Sequence, residues 1–226
     1  MNNPVITKST LNFLNELSKN NTREWFTEHK TEFKAHEADI KGFYKVLMDK
    51  LNVHDEIEKI KMFRIYRDVR FSKDKTPYKT HFGGSFSRSG ARLRGGYYLQ
   101  VANNETFIAT GFWEPNKDDL FRIRKEFEMD STEIRKVIND KTLKNVWGEI
   151  KGEGLKTAPK GFDKEDPNID LIRMKQFIFV RNFTNKEVLS NNFIDVVDDS
   201  FKSIRPYFDL MSDILTTNLN GESLLD

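Results

Sequence analysis

Ten basic side chains fall between residues 60 and 94: Lys61, Arg64, Arg67, Arg70, Lys73, Lys75, Lys79, Arg88, Arg92 and Arg94. Only Asp68 and Asp74 oppose them, so the segment carries +8 while the rest of the chain, with 27 basic and 33 acidic residues, carries −6. The near-neutral total of +2 hides this asymmetry. A concentrated positive field attracts phosphates, nucleic acids or acidic partners. Guanidinium groups suit such anions because their planar fork donates two parallel hydrogen bonds. Asp68 sits among Arg64, Arg67 and Arg70, which favour its ionised form and fit it for orienting a cation rather than donating a proton. Tyr78, Lys79 and His81 follow closely and could donate to a phosphate. The bland alternative is a solvated basic face neutralised by the acidic remainder of the chain.

Arg67 carries more information than the count. Phe63, Ile65, Val69 and Phe71 alternate with Arg64, Tyr66, Asp68 and Arg70, which predicts a strand from about Met62. On a regular strand Arg67 shares the apolar face and points into the core. A buried guanidinium needs hydrogen-bonded partners, so Arg67 is either a structural salt bridge or a ligand clamp. As a buried salt bridge, its loss in Arg67→Ala would strand a carboxylate at a cost on the order of 3–5 kcal/mol. Basic residues are also interleaved with Phe71, Tyr78, Phe82 and Phe86, rings that could stack on bases or simply fill a core.

Other chemistries lack the residues they need. The chain has no Cys, which removes thiolate nucleophiles, disulfides and Cys-ligated metals. His29 and His36 stand two helical turns apart, about 10 Å along the axis, too far for one mononuclear site. His54 and His81 complete the histidines, and no HExxH, P-loop or GxGxxG pattern occurs. Neither a metal nor a cofactor is expected.

The elements that must position the basic segment read as follows. Residues 9–19 form a short helix on Leu11, Phe13, Leu14 and Leu17. A second helix of roughly eight turns starts at a capping-box-like Asn21 and Glu24 and runs to Leu51. His81–Phe86 reads as a short strand, and Ser87–Gly96 as a polar loop. Tyr97–Ala102 and Glu105–Trp113 form a hairpin around Asn103-Asn104. Asn116 caps a helix carrying Leu120, Ile123 and Phe127, and Asp130 with Glu133 starts another, to about Asn139. Residues 151–170 read as a loop and Lys175–Asn182 as a strand. A helical tail over about 185–217 is interrupted at Pro206. Helices at both ends and an antiparallel sheet between them give an α+β class in one domain over 1–226.

Composition agrees with a folded chain. In 226 residues, 19 Phe, 6 Tyr and 3 Trp suffice for a core, and Gly and Pro are too few for a fibrous or disordered class. The N-terminal residues lack the basic start and apolar stretch of a signal peptide. The longest apolar run, Phe177–Val180, is far short of the roughly 20 residues of a membrane span. A cytoplasmic protein with no membrane partner is the expectation.

The run Arg67-Asp68-Val69-Arg70-Phe71-Ser72-Lys73-Asp74-Lys75-Thr76-Pro77-Tyr78-Lys79 resembles the RDxRFxxxKxPYK signature of the bacterial domain-of-unknown-function family 2461. Later pieces are similar in the same order: Gly96–Gln100; Gly111 to Pro115 with Leu120 and Arg124; Pro159–Phe162; and Asp170–Lys175, which contains Arg173. The resemblance spans about residues 7–215. It implies one compact α+β domain and brings no assigned reaction. Taken together, the reading is a site for a phosphate-bearing ligand, with or without turnover, formed by Arg64, Arg67, Asp68, Arg70, Lys73, Lys75, Tyr78, Lys79 and His81. Arg67 and Arg70 would clamp the anion, Asp68 would orient them, and Lys79 or His81 would complete the pocket, with Arg124 and Arg173 as lesser candidates. The alternatives are a nucleic-acid or protein interaction module, and a purely structural Arg–Asp network holding the sheet to the long N-terminal helix.

Overall fold

A computed structural model describes residues 3–225. Met1 and Asn2, read above for a leader, and Asp226 lie outside the described residues. The order is α1 (Lys8–Lys19), α2 (Arg23–Glu28), α3 (Lys30–Leu51), β1 (Ile57–Met62), β2 (His81–Arg88), β3 (Gly96–Ala102), β4 (Thr106–Phe112), α4 (Lys117–Met129), α5 (Thr132–Ile138), α6 (Lys141–Trp147), α7 (Ile169–Ile172), β5 (Phe177–Phe183), α8 (Asn185–Val188), α9 (Phe193–Ser203) and α10 (Arg205–Thr216). The five strands form one antiparallel sheet in chain order, β1-β2-β3-β4-β5. The class is α+β. Among the described residues no helix is long and apolar enough to cross a membrane.

The chain packs as two compact units. One takes the N-terminal residues through Phe86 with Tyr98–Ile108 and Asn182–Asp199; the other takes Ser87–Tyr97, Ala109–Arg181 and the C-terminal residues from Ser200.

In the first unit, α1 starts at Thr7, whose hydroxyl accepts from the Thr10 N–H, and it buries Leu11, Phe13, Leu14 and Leu17 as expected. The single eight-turn helix is corrected. Thr22, not Asn21, caps α2 by accepting from the Trp25 N–H, and the chain leaves helical geometry at His29 before α3 begins. There the His29 imidazole Nδ1 lies 2.8 Å from the Trp25 carbonyl oxygen and its ring stacks on the Trp25 indole at 3.9 Å. The 22-residue α3 buries Phe33, Ile40, Phe43, Tyr44, Leu47 and Leu51 along one stripe. Phe33 stacks on Phe82 and Tyr44 on Phe86, so the even-numbered side chains of β2 face the helix. Tyr44 also donates to the Leu99 carbonyl at 2.6 Å. Gly84 is required beneath it, because a Cβ there would stand 2.6 Å from the Tyr44 ring.

In the second unit, Tyr97 packs against Phe201 and Phe208, and Phe179 meets Tyr207 edge-on at 5.1 Å. Tyr207 donates to the Phe177 carbonyl at 3.0 Å. Asn116 caps α4 as expected, accepting from the Asp119 N–H at 2.8 Å. Ser131 rather than Asp130 is the residue before α5, while Asp130 accepts from the Thr132 N–H. Pro206 stands in the first turn of α10, where its missing N–H costs nothing, and this separates α9 from α10. The helix α6 was not anticipated; it starts at Asp140, which accepts from the Thr142 and Leu143 N–H groups.

Candidate functional site

The strand expected from Met62 is corrected. The strand β1 ends at Met62, and residues 63–80 are irregular apart from an isolated bridge between Tyr66 and Tyr78. The alternation of apolar residues there does not mark a buried face. Ile65 is buried, but Phe63 is 38% exposed and Phe71 is 96% exposed. The cause is local chemistry. Asp68 accepts from the Arg70 N–H and Asp74 from the Thr76 N–H, side-chain turns that compete with a strand ladder. The segment therefore folds back on itself: the Arg67 N–H donates to the Pro77 carbonyl at 2.9 Å and the Lys79 N–H to the Ile65 carbonyl at 2.7 Å.

Within this closed loop Arg67 does not enter the core. Its guanidinium lies along the loop, pairing with Asp74 at 2.5 Å and also donating to the Thr76 carbonyl at 3.1 Å and to the Thr76 hydroxyl. Asp74 has its carboxyl lowered to about 2, first by the Thr76 N–H and hydroxyl and then by Arg67. Arg70 takes Asp68 through two nitrogens, at 3.0 and 2.7 Å, on an exposed surface. That pairing holds the Asp68 carboxyl below its ordinary range. Lys75 donates to the Val69 carbonyl at 2.9 Å. Lys73 is exposed. The half of the motif expected to clamp a ligand thus spends its charges on shaping its own loop.

The other half is anchored to the helices by residues that sequence reading missed. The Asn21 amide donates to the Tyr78 carbonyl at 2.9 Å and accepts from the Tyr78 N–H at 3.1 Å. The Tyr78 ring stacks on Phe26 at 4.0 Å. Pro77 presets this turn, as its fixed φ suggests. Tyr78, Phe82 and Phe86, considered above as stacking rings, are core residues, each at most 5% exposed.

This anchoring delivers Lys79 and His81 to the start of β2. Both are half-buried. The Lys79 ammonium lies 5.4 Å from the Phe63 ring centroid, and the Lys61 ammonium lies 5.6 Å from the same centroid. Burial and the nearby Arg64 guanidinium push the Lys79 pKa down. Burial and Lys79 push His81 down in turn. Three of the expected residues, Arg64, Lys79 and His81, therefore converge with their charges opposing one another. Lys61, on β1, lies over the same ring, and its place among the ten basic residues of the segment was the available signal.

Arg124 and Arg173 belong to the second unit. Arg124 is buried on α4, where Nε donates to the Ile172 carbonyl at 2.8 Å and Nη2 to the Met174 carbonyl at 3.0 Å. It closes the C-terminal end of α7, whose last carbonyls have no helical donor. Arg173 is half-buried at that same end, with Nε enclosed and without a hydrogen-bond partner among the described residues. Among the described residues no three His, Asp or Glu side chains gather in a way that could hold a metal ion.

A family model described as a conserved hypothetical protein, DUF2461, matches residues 9–210. The chain belongs to the DUF2461 family. No curated protein and no solved structure matches it. The family's description names no ligand or reaction, so the geometry of the loop and of the cations beside it carries the functional argument.

Proposed function

We propose that this DUF2461 chain binds a phosphate-bearing ligand where Arg64, Lys79 and His81 meet, with Lys61 beside them. One observation carries the reading: Arg64 presses on Lys79 and Lys79 on His81, and neither Lys79 nor His81 forms an ion pair with a carboxylate among the described residues, whereas Arg67 and Arg70 nearby are each paired with an aspartate and Arg64 feels Asp68. A half-buried ammonium disfavoured by a neighbouring guanidinium gains most when an anion arrives, because the anion relieves the repulsion and supplies the missing acceptors. The closed loop of residues 67–79 serves as scaffold, with Arg67 and Arg70 fixing its shape. His81, held toward its neutral form, is the group of this cluster able to accept a proton if turnover follows binding.

The test is isothermal titration and thermal shift of the full chain with inorganic phosphate, sugar phosphates and nucleotides. A ligand at 100 times its Kd should add about 2.7 kcal/mol of stability. Lys79→Ala should weaken binding about tenfold or more, as expected for a lost charge-assisted hydrogen bond. Arg70→Ala should change it much less. Unchanged affinity in a folded Lys79→Ala protein would overturn the assignment.

A further inference from the structure

Resting on that anion-binding reading, we propose that the ligand is a single-stranded nucleic acid whose bases stack on Phe63, Tyr98 and Phe107 while its phosphates meet Lys61, Arg64 and Lys79. Strand alternation divides the side chains of the sheet between its two faces. In the first unit the even positions of β2 and the odd positions of β3 are buried against the helices: Phe82 and Phe86, then Leu99 and Val101. The opposite phase holds His81, Gly83 and Ser85 on β2, Tyr98 and Gln100 on β3, and Phe107 on β4. All of these but Gly83 are half-exposed. Solvent-phase positions of a sheet are ordinarily polar, so two strand aromatics among them call for an occupant.

The rings form a continuous row. The Phe63 N–H donates to the Gly83 carbonyl at 2.9 Å, which sets Phe63 beside that glycine from the β1 side. Tyr98 reaches the same glycine from the β3 side, and a Cβ at residue 83 would stand 2.6 Å from its hydroxyl oxygen. The missing side chain is what lets the tyrosine ring lie across the sheet. Centroid separations are 6.2 Å from Phe63 to Tyr98 and 5.6 Å from Tyr98 to Phe107.

What sits on the row decides the occupant. The Lys61 and Lys79 ammonium groups lie 5.6 and 5.4 Å from the Phe63 ring centroid, so cations flank the row at its Phe63 end. Aromatic platforms edged by cations are how sheets hold unpaired bases and their backbone, since every base has a π-face and every linkage a phosphate. A duplex hides those base faces. A mononucleotide would use one ring of three.

The experiment is fluorescence anisotropy of the full chain with labelled oligothymidylates of increasing length. Competitors are inorganic phosphate, ribose 5-phosphate, a mononucleotide, duplex DNA and polyglutamate. Affinity should rise with oligonucleotide length, and duplex and polyglutamate should compete weakly. Phe63→Ala and Phe107→Ala should each weaken oligonucleotide binding roughly 5- to 150-fold, while leaving the affinity for inorganic phosphate unchanged. Lys79→Ala should weaken both. Should Phe107→Ala fail to fold, Phe63→Trp supplies an independent readout: it retains binding, and the introduced fluorophore is quenched by the stacked base. Ribose phosphate, mononucleotide or polyglutamate binding as tightly as the oligonucleotide, or normal oligonucleotide binding by folded alanine variants, overturns the stacking proposal and leaves the anion reading standing. If none of the probes binds, both readings fail.

Discussion

Asp74 and His81 each lose stability on acidification, in different pH ranges and for different reasons, and each offers a measurement at the scale of one residue. The Asp74 carboxyl is lowered to about 2, chiefly by the Thr76 N–H and hydroxyl. A depressed carboxylate favours the folded state above its unfolded pKa, and that contribution is lost as pH falls from the ordinary carboxylate range toward about 2. Carbon-detected titration by NMR should place the Asp74 midpoint near that value, and Thr76→Val should raise it more than Arg67→Ala does. Arg67→Ala itself should be mild, because Asp74 is exposed and would be left in water rather than stranded in a core. His81 is lowered by burial and then by Lys79. Its neutral form suits the folded state, so acidification below its ordinary range costs stability in the absence of an anion. A bound phosphate should reverse that cost. The thermal shift given by phosphate should therefore be larger at about pH 5.5 than at about pH 8, and His81→Gln should flatten the difference. An equal shift in wild type at both values would remove His81 from the site.

At the scale of elements, the loop and the sheet have different tolerances. The 67–79 loop holds its shape with side-chain turns, so its hydrogen bonds are mostly exposed and individually weak. The pairing of α3 with β2 is governed by close packing. Tyr44 lies fully buried over Gly84, and a Cβ there has nowhere to go except into the ring. Gly84→Ala should cost at least about 1–3 kcal/mol in chemical denaturation, the usual range for overpacking. A stability loss below that would mean the helix shifts freely against the strand. Gly83 has the same chemistry and a different consequence, since its neighbour is the outer end of the Tyr98 side chain. Glycines placed side by side on one strand thus serve the two faces of the sheet, one for packing and one for the aromatic row.

For the molecule as a whole, the segment of +8 against a remainder of −6 makes salt the natural probe. Three phosphate-contacting cations predict a slope of roughly −2 for the logarithm of oligonucleotide affinity against the logarithm of salt concentration, and Lys79→Ala should make it shallower by about 0.7. Binding that ignores salt would disconnect the charge asymmetry from the ligand.

Much of this protein was legible in its residues. Apolar spacing placed α1, α3 and the C-terminal helices, because a helix must bury one stripe whatever it packs against. Asn103-Asn104 marked the β3–β4 hairpin, and Asn104 does take positive φ there. The signature run from Arg67 to Lys79 pointed to the family. Charge counting pointed to the basic segment as well, since net charge does not depend on folding. Direction was not legible. The alternation from Phe63 to Phe71 read as a strand, but the aspartate turns that override it depend on where each carboxylate folds. The same residue types separated only once the loop closed: Arg67 and Arg70 took aspartates, while Lys79 was left without an ion pair among the described residues. The tertiary structure alone set Phe63, Tyr98 and Phe107 in one row. They come from three separate stretches of chain, and hydrogen-bond register across a sheet, rather than sequence spacing, decides which side chains become neighbours.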